Sequence, residues 1–152
     1  MHEFLIENED AMWDFGVNFA KGLCAGDVIA LYGDLGTGKT FFTKAIAAGL
    51  DIEEPVTSPS FTILHEYEGG VLPLHHFDVY RLAEGAAEEG ASGGEIGMEE
   101  TFYGDGVSVV EWANYVESLL PKETIRIALA YGVEEGTRLC RVAERGEALC
   151  VF

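Results

Sequence analysis

A glycine-rich loop between an apolar run and an amphipathic segment is the feature that most constrains the fold of this chain. Residues 33–40 read GDLGTGKT, an unbroken match to the pattern GxxxxGK[ST], and they follow the apolar run VIALY at 28–32. In such a loop, successive backbone N–H groups turn inward around an anion, the lysine reaches phosphate oxygens, and the final hydroxyl ligates Mg²⁺. The pattern predicts a strand, a phosphate-binding loop and a helix, in that order.

The segment after the loop has the periodicity of a helix over residues 39–50. Phe42, Ile46 and Leu50 recur at every fourth position, and Gly49 lies near the end. The alternative interpretation is a glycine-rich turn that enters a helix and binds nothing. The strand on one side and the helix on the other favour phosphate binding.

The length and composition of the chain are those of one globular domain. With 152 residues, of which 48% are hydrophobic, we expect a single domain over residues 1–152. The first ten residues contain acidic side chains, no Lys or Arg and no long apolar stretch, so we expect no signal peptide. No apolar run approaches the roughly 18 residues of a membrane span. These features predict a cytoplasmic protein without a membrane partner.

The three cysteines do not form a recognisable framework. Cys24, Cys140 and Cys150 are odd in number, widely spaced and without a CxxC pair, which argues against disulfides and against a zinc site. We expect reduced core residues.

The charge balance is strongly acidic. The chain has 27 Asp and Glu against 9 Lys and Arg, a formal net charge of −18. Affinity for nucleic acid comes mainly from basic side chains that displace counterions, so we expect no strong direct nucleic-acid binding. Taken alone, the acidity fits solubility as well as it fits a protein partner.

Patterns along the chain predict strands that alternate with helices and are followed by hairpins. We expect a strand at 2–7, then a helix that Asn8 caps and that runs to about Leu23. Its core face is predicted to hold four apolar side chains: Met12, Phe15, Phe19 and Leu23. Further strands are predicted at 61–67, 71–80, 107–112, 124–131 and 137–143, with a turn at 68–70 and a short helix at 113–120.

Residues 83–106 differ from the rest of the chain. They contain seven acidic residues, seven glycines and no Lys or Arg, which predicts either a mobile loop or a weak helix. The whole order of elements predicts an α/β fold, a three-layer sandwich of the P-loop NTPase type with a mixed, centrally parallel sheet.

Two carboxylates at the ends of apolar runs are candidates for the chemistry that a phosphate loop requires. Asp78 follows LHHF at 74–77, and Glu111 follows VSVV at 107–110; in open α/β sheets, such strand ends border the ligand crevice. We expect Asp78 to hold Mg²⁺ through water and Glu111 to orient or deprotonate an attacking water. The alternatives are a cap on the next turn for Asp78 and a surface carboxylate for Glu111.

Other polar and aromatic residues nearby admit two interpretations each. His75, His76 and Asp78 together suggest a transition-metal site, but adjacent residues of a strand point to opposite faces. Arg81 would either neutralise a transferring phosphoryl group or pair with one of the many acids. Trp112 would pack on the core or stack beside the nucleotide, and we expect core packing.

Four segments of the chain together resemble the bacterial TsaE family, formerly YjeE. They are GDLGTGKT at 33–40, SPSFT at 58–62, HFDVYRL at 76–82 and EWA at 111–113, and their order and spacing match over about residues 4–131. The resemblance implies the ATPase component of bacterial tRNA threonylcarbamoyladenosine synthesis. It also implies Mg²⁺ and ATP as cofactors, TsaB and TsaD as protein partners, and TsaC as the source of the activated threonylcarbamoyl intermediate.

The same resemblance assigns roles to residues by position. It implies catalytic roles for Lys39, Asp78 and Glu111, and it places Mg²⁺ at Thr40, Asp78 and Glu111, with a switch segment at 57–61. Nucleotide contacts are implied for the loop and the first helical turn: Asp34, Leu35, Gly36, Thr37, Gly38, Lys39, Thr40 and Phe41. The chain has Ser60 where the family often has Thr and Ala113 where Pro is common, and residues 83–106 look looser than usual.

Two other functions share the phosphate loop. A small-molecule kinase usually closes a basic lid over the phosphates, whereas the lid-like insertion at 83–106 has no basic residue. A GTP-dependent switch needs a guanine-reading segment such as NKxD, which the sequence lacks. ATP hydrolysis is therefore the predicted function, with the kinase as the alternative.

Overall fold

A single seven-stranded sheet organises the computed structural model, which describes residues 1–59, 62–80 and 97–152. The strands run in the spatial order β1-β7-β6-β2-β5-β4-β3. In chain order they are β1 (His2–Ile6), β2 (Val28–Tyr32), β3 (Leu64–Tyr67), β4 (Leu74–Asp78), β5 (Val107–Glu111), β6 (Ile125–Tyr131) and β7 (Arg138–Ala143). The helices are α1 (Glu9–Ala20), α2 (Lys39–Gly49) and α3 (Met98–Phe102).

The centre of the sheet is parallel and its two edges are antiparallel. Strand β2 pairs in parallel with β5 and β6, and β5 pairs in parallel with β4. Antiparallel pairing adds β7 and β1 at one edge and β3 at the other. This confirms the predicted mixed, centrally parallel sheet. Every residue of β2 is buried, as expected for a central strand covered on both faces.

Two apolar cores lie on opposite faces of the sheet and give the three predicted layers. Helices α1 and α2 cover one face, where Phe42 and Ile46 pack with Ile29 and Leu31. The other face is covered by α3 and by single 3-10 turns at Ala113–Tyr115 and Glu117–Leu119. Because β2 leads directly into the loop and α2, the phosphate-binding sequence lies at the carboxyl edge of the parallel strands.

Helix α1 begins where the sequence predicts and ends earlier. The Asn8 side chain accepts a hydrogen bond of 2.8 Å from the N–H of Ala11, which confirms the cap. The helix ends at Ala20 rather than near Leu23, because the turn that follows contains Gly22, a poor helix former. The predicted core face is confirmed: Met12 is buried, and Phe15, Phe19 and Leu23 pack against the core.

Several predicted boundaries change for local reasons. The hairpin of β3 and β4 is confirmed, but β4 begins at Leu74 because Pro73 has no N–H to give to a ladder. The backbone of Ile63 is left-handed (φ 69°), so β3 begins after it. The helix predicted at 113–120 is wrong, since the chain there forms two 3-10 turns. Of residues 83–106, only 97–106 are described, and they contain α3.

The prediction that all three cysteines are core residues is wrong for two of them. Cys140 lies on β7 and is fully buried, and burial raises the pKa of its thiol to about 12. Cys24 lies in the turn after α1 and Cys150 in the C-terminal segment, and both are exposed. Widely spaced cysteines in turns carry no periodic signal by which the sequence separates them from core positions.

Helix α1 crosses α2 at a glycine, and we expect this contact to limit what the position tolerates. A Cβ atom added at Gly16 would lie 2.5 Å from the Cβ of Ala45, which is closer than real Cβ contacts. Gly16→Ala is expected to lower the free energy of unfolding by about 1–3 kcal/mol, as measured by urea unfolding. Gly22→Ala is the matched control because its nearest neighbour is 3.7 Å away; equal losses in both variants would contradict this account.

Candidate phosphate-binding site

The loop at 33–40 leaves the end of β2 and turns sharply into α2. The backbone is left-handed at Gly36 (φ 81°) and at Gly38 (φ 108°), where L side chains are strained. Space is also restricted, because a Cβ on Gly36 would lie 2.7 Å from the hydroxyl oxygen of Tyr131, and one on Gly38 would lie 2.9 Å from Sδ of Met12. The left-handed backbone therefore favours glycine at both positions, whereas the two nearby atoms belong to side chains that can move.

The Lys39 side chain folds back onto the loop. It is 5% exposed, and its ammonium donates hydrogen bonds to the carbonyl oxygens of Gly33 and of Asp34, the latter at 3.0 Å. The same ammonium lies 3.9 Å from the centroid of the Trp112 ring, a cation–π contact. Burial lowers the pKa of Lys39, while the Glu111 carboxylate acts in the opposite direction. Phosphate oxygens are better acceptors for this ammonium than carbonyls because they carry charge.

The carboxylates at the ends of β4 and β5 are neighbours. Asp78 and Glu111 are partners in the parallel register, and they are 7% and 2% exposed. The hydroxyl of Thr40, in the first turn of α2, donates to both carboxylate oxygens of Glu111, at 2.9 and 3.1 Å. The structure thus brings together all three residues predicted to hold Mg²⁺, and Glu111 is not a surface carboxylate.

Asp78 also caps the turn that follows its strand. One of its carboxylate oxygens accepts from the N–H of Tyr80 at 3.1 Å, and the other accepts from the hydroxyl of Ser58 at 3.3 Å. Burial raises the pKa of Asp78, the hydrogen bond from Tyr80 acts against this effect, and the charge of Glu111 adds to it. Asp78 therefore both caps the turn after β4 and lies in the candidate site. Ser58 connects the predicted switch segment to the site through its hydrogen bond to Asp78.

His76 is a member of the site that the sequence reasoning did not assign. Its ring is fully buried and Nε2 is hydrogen-bonded to the Glu111 carboxylate, while Nδ1 has no partner among the described residues. A signal existed, because residues two apart on a strand share a face and His76 lies two before Asp78. His75 points the other way, with Nδ1 3.2 Å from the Glu66 carboxylate, so the two histidines cannot ligate one metal.

An aromatic cluster borders the site on the side of Lys39. Trp112 has left-handed backbone (φ 61°), a strained conformation of the kind often found at functional sites. Its ring centroid lies 5.0 Å from that of Tyr80 and 6.3 Å from that of Tyr115. Trp112 also packs against the second core, so the expected core packing is confirmed, although the ring covers the lysine as well.

Of the remaining predicted residues, Leu35 and Phe41 are described by the structure and several others are not. Leu35 is 82% exposed at the tip of the loop, and the Phe41 ring lies 5.7 Å from the ring of Trp13, so any nucleotide contact by Phe41 falls to its backbone. Arg81 lies outside the described residues, as do the carboxyl-terminal part of the switch segment at 60–61 and residues 83–96 of the acidic insertion at 83–106.

The donor set at the carboxylates fits Mg²⁺. A hydroxyl and two carboxylates, on Thr40, Asp78 and Glu111, offer only oxygen atoms, the hard ligands that Mg²⁺ prefers over nitrogen and sulfur. Two buried carboxylates side by side also repel each other, and a divalent cation relieves that repulsion. No three His, Cys, Asp or Glu side chains in the described ranges form a metal site by themselves.

Asp78 is expected to reduce the stability of the protein at neutral pH. Its pKa is raised on folding, so its contribution to stability is fully present below the unfolded pKa and is lost as the pH rises through the folded value. Asp78→Asn should therefore raise the melting temperature of the nucleotide-free protein at neutral pH, and the gain should shrink at mildly acidic pH. Thermal unfolding across this range checks it, with the exposed Asp105→Asn as control; a lower melting temperature for Asp78→Asn would contradict the account.

The fold and the loop define a P-loop NTPase-like protein. A family model described as threonylcarbamoyl adenosine biosynthesis protein TsaE matches residues 6–139. The chain belongs to the TsaE family of tRNA threonylcarbamoyladenosine biosynthesis proteins, as the resemblance of its motifs predicts.

Individual members of the family are similar to this chain over most of their length. The TsaE protein of Bacillus subtilis is 46% identical over 134 residues, which cover 87% of this chain and 78% of that protein. The TsaE protein of Treponema pallidum is 43% identical, with 89% and 93% covered. The crystal structure of Bacillus subtilis YdiB superposes with a TM-score of 0.77 at 37% identity, and covers 91% of this chain and 82% of that one. No helix among the described residues has the length and hydropathy to cross a membrane.

Proposed function

We propose that this protein is the ATPase of the tRNA threonylcarbamoyladenosine machinery, and that it binds and hydrolyses Mg-ATP in the loop at 33–40. The observation that carries the proposal is the hydrogen bond from Thr40 to the buried Glu111 at the head of α2. It joins the last residue of the phosphate loop to an acidic strand end, the pairing that phosphoryl-transfer sites require.

Each part of the site has a separate role in the proposed hydrolysis of ATP. The loop N–H groups and the positive end of α2 bind the phosphates, and Lys39 exchanges its carbonyl partners for phosphate oxygens. Thr40, Asp78 and Glu111 would hold Mg²⁺, which when bound neutralises the charge that develops between the phosphates. Glu111 also lies where a carboxylate can orient an attacking water, and His76 fixes its orientation.

The contact between Lys39 and Trp112 supports a link from nucleotide to partner. An ammonium drawn toward phosphate leaves the indole ring of Trp112. That ring packs at a tilt against Tyr80 and stacks on Tyr115, which are 42% and 45% exposed. A change at the phosphates would therefore reach the exposed rings of Tyr80 and Tyr115 through two side chains, Lys39 and Trp112. Ser58 provides a second route, because the switch segment is hydrogen-bonded to Asp78.

The partners proposed are TsaB and TsaD, in the cytoplasm. A net charge of −18 disfavours direct contact with the tRNA phosphates, so the protein acts on tRNA modification through other proteins. This charge is compatible with binding to a protein complex, but it disfavours a role as the subunit that binds tRNA directly.

Magnesium-dependent hydrolysis of ATP tests the proposal, measured with and without purified TsaB and TsaD. We expect phosphate release without any added acceptor, stimulation by the two partners, and a loss of about 100-fold or more in Lys39→Ala, because the lysine contacts charge in the transition state. Hydrolysis that is indifferent to the partners would remove TsaB and TsaD from the proposal. Phosphate transfer only when a small-molecule acceptor is supplied would favour the kinase alternative.

A further inference from the structure

The hairpin of β6 and β7 stands beside the outer surface of the phosphate loop. Strand β6 pairs with β2 up to Tyr32, opposite Ala128, and then continues past the end of β2 to Tyr131. Tyr131 and Arg138 are direct cross-strand partners at the end of the hairpin next to its turn. The guanidinium carbon of Arg138 lies 4.7 Å from the centroid of the Tyr131 ring, so the two side chains form one unit.

This pair contacts three successive carbonyl groups of the loop. The hydroxyl of Tyr131 donates to the carbonyl oxygen of Leu35 at 2.6 Å. The guanidinium of Arg138 donates from Nε to the carbonyl oxygen of Thr37 at 3.1 Å, and from Nη2 to that of Gly36 at 3.4 Å. Hydrogen bonds from a charged guanidinium are stronger than neutral ones.

Because the peptide bond is planar, a hydrogen bond that fixes the direction of a C=O also fixes the direction of the N–H in the same peptide group. In a trans peptide, the C=O of one residue and the N–H of the next point in opposite directions. Because the carbonyls of residues 35, 36 and 37 point at the hairpin, the N–H groups of Gly36, Thr37 and Gly38 point away from it. The N–H of Thr37 donates to the carbonyl oxygen of Asp34 at 3.2 Å, within the loop. Glycine-rich backbone does not hold such an arrangement unaided, since glycine has the largest conformational freedom of any residue.

We propose that Tyr131 and Arg138 are positioning residues that clamp the phosphate loop in its anion-binding conformation before the nucleotide arrives. The inference rests on the proposed function of the loop and adds two residues to which neither the motif nor its chemistry points. The clamp contacts carbonyls on the outside of the loop, so it acts through the backbone. Its effect is to reduce the conformational freedom that anion binding would otherwise remove.

Binding of inorganic tripolyphosphate tests the clamp, because this anion reports on the loop without contributions from a nucleobase. Tyr131→Phe removes one hydroxyl and keeps the ring, and Arg138→Gln removes the guanidinium. Each is expected to weaken binding by roughly three- to tenfold, the effect of losing one or two net hydrogen bonds. Arg141→Gln is the matched control, since Arg141 lies on the same strand and pairs with Glu3 and the carbonyl of Cys150; its affinity should be native.

The second measurement is the backbone order of the loop in the ligand-free protein, from NMR relaxation of the Gly36 and Thr37 amides. Both variants are expected to lower these order parameters below the value of about 0.85 that is typical of rigid backbone, whereas Arg141→Gln leaves them unchanged. Unchanged order in Tyr131→Phe and Arg138→Gln would overturn the clamp whatever the affinities. Native affinity in Arg138→Lys would overturn it too, because charge without the planar fork would then suffice.

A failure of the clamp and a failure of the proposed function give different results. If Lys39→Ala loses tripolyphosphate binding while the Tyr131 and Arg138 variants keep both affinity and loop order, the phosphate site stands and the clamp is wrong. If the native chain does not bind the anion, the proposed function falls, and the order parameters alone still decide whether these two side chains hold the loop.

Discussion

The hydrogen bond between Thr40 and Glu111 is the contact on which the site depends, because it joins the start of α2 to the end of β5. Its two ends are fixed independently. Strand β5 is buried between two parallel neighbours, and α2 is held by the core beneath Phe42 and Ile46. Glu111 and Asp78 lie side by side at the ends of β5 and β4, next to the loop that joins β2 to α2. A pair of buried acidic side chains therefore lies beside the phosphate-binding loop.

The site buries charged groups at a free-energy cost that a ligand of opposite charge would reduce. Burial raises the pKa of Asp78 and lowers that of Lys39, so each ionised group is less favourable in the free protein than in water. The ammonium of Lys39 contacts two carbonyl oxygens and the face of Trp112, and the nearby charges of Glu111, Asp78 and Asp34 offset part of the cost of its burial. A bound magnesium ion would offset the charges of the carboxylates, and a bound phosphate would offset the charge of Lys39. We therefore expect these buried charged groups to lower the stability of the free protein, a cost that is common at functional sites.

Much of this was accessible from the sequence, and the exceptions have physical reasons. The apolar run at 28–32, the glycine-rich loop and the capped helix at Asn8 are local signals, and the structure confirms them. The positions of Asp78 and Glu111 at strand ends were predictable, but the register of β4 against β5 that makes them neighbours was not. Contacts such as that of Tyr131 with Leu35 join residues 96 positions apart, and no local pattern encodes them. The helix predicted at 113–120 is interrupted at Val116, whose backbone (φ −128°) leaves the helical region, so the segment forms two separate 3-10 turns.

The most direct measurement of the central claim is the affinity of the native chain for ATP with and without Mg²⁺, by calorimetry, beside the Glu111→Gln variant. The account predicts saturable binding of one ATP per chain that Mg²⁺ strengthens, and a loss of most of that magnesium-dependent gain when the Glu111 carboxylate becomes an amide. Equal affinity of the native chain with and without Mg²⁺, or no saturable binding of ATP, would contradict it.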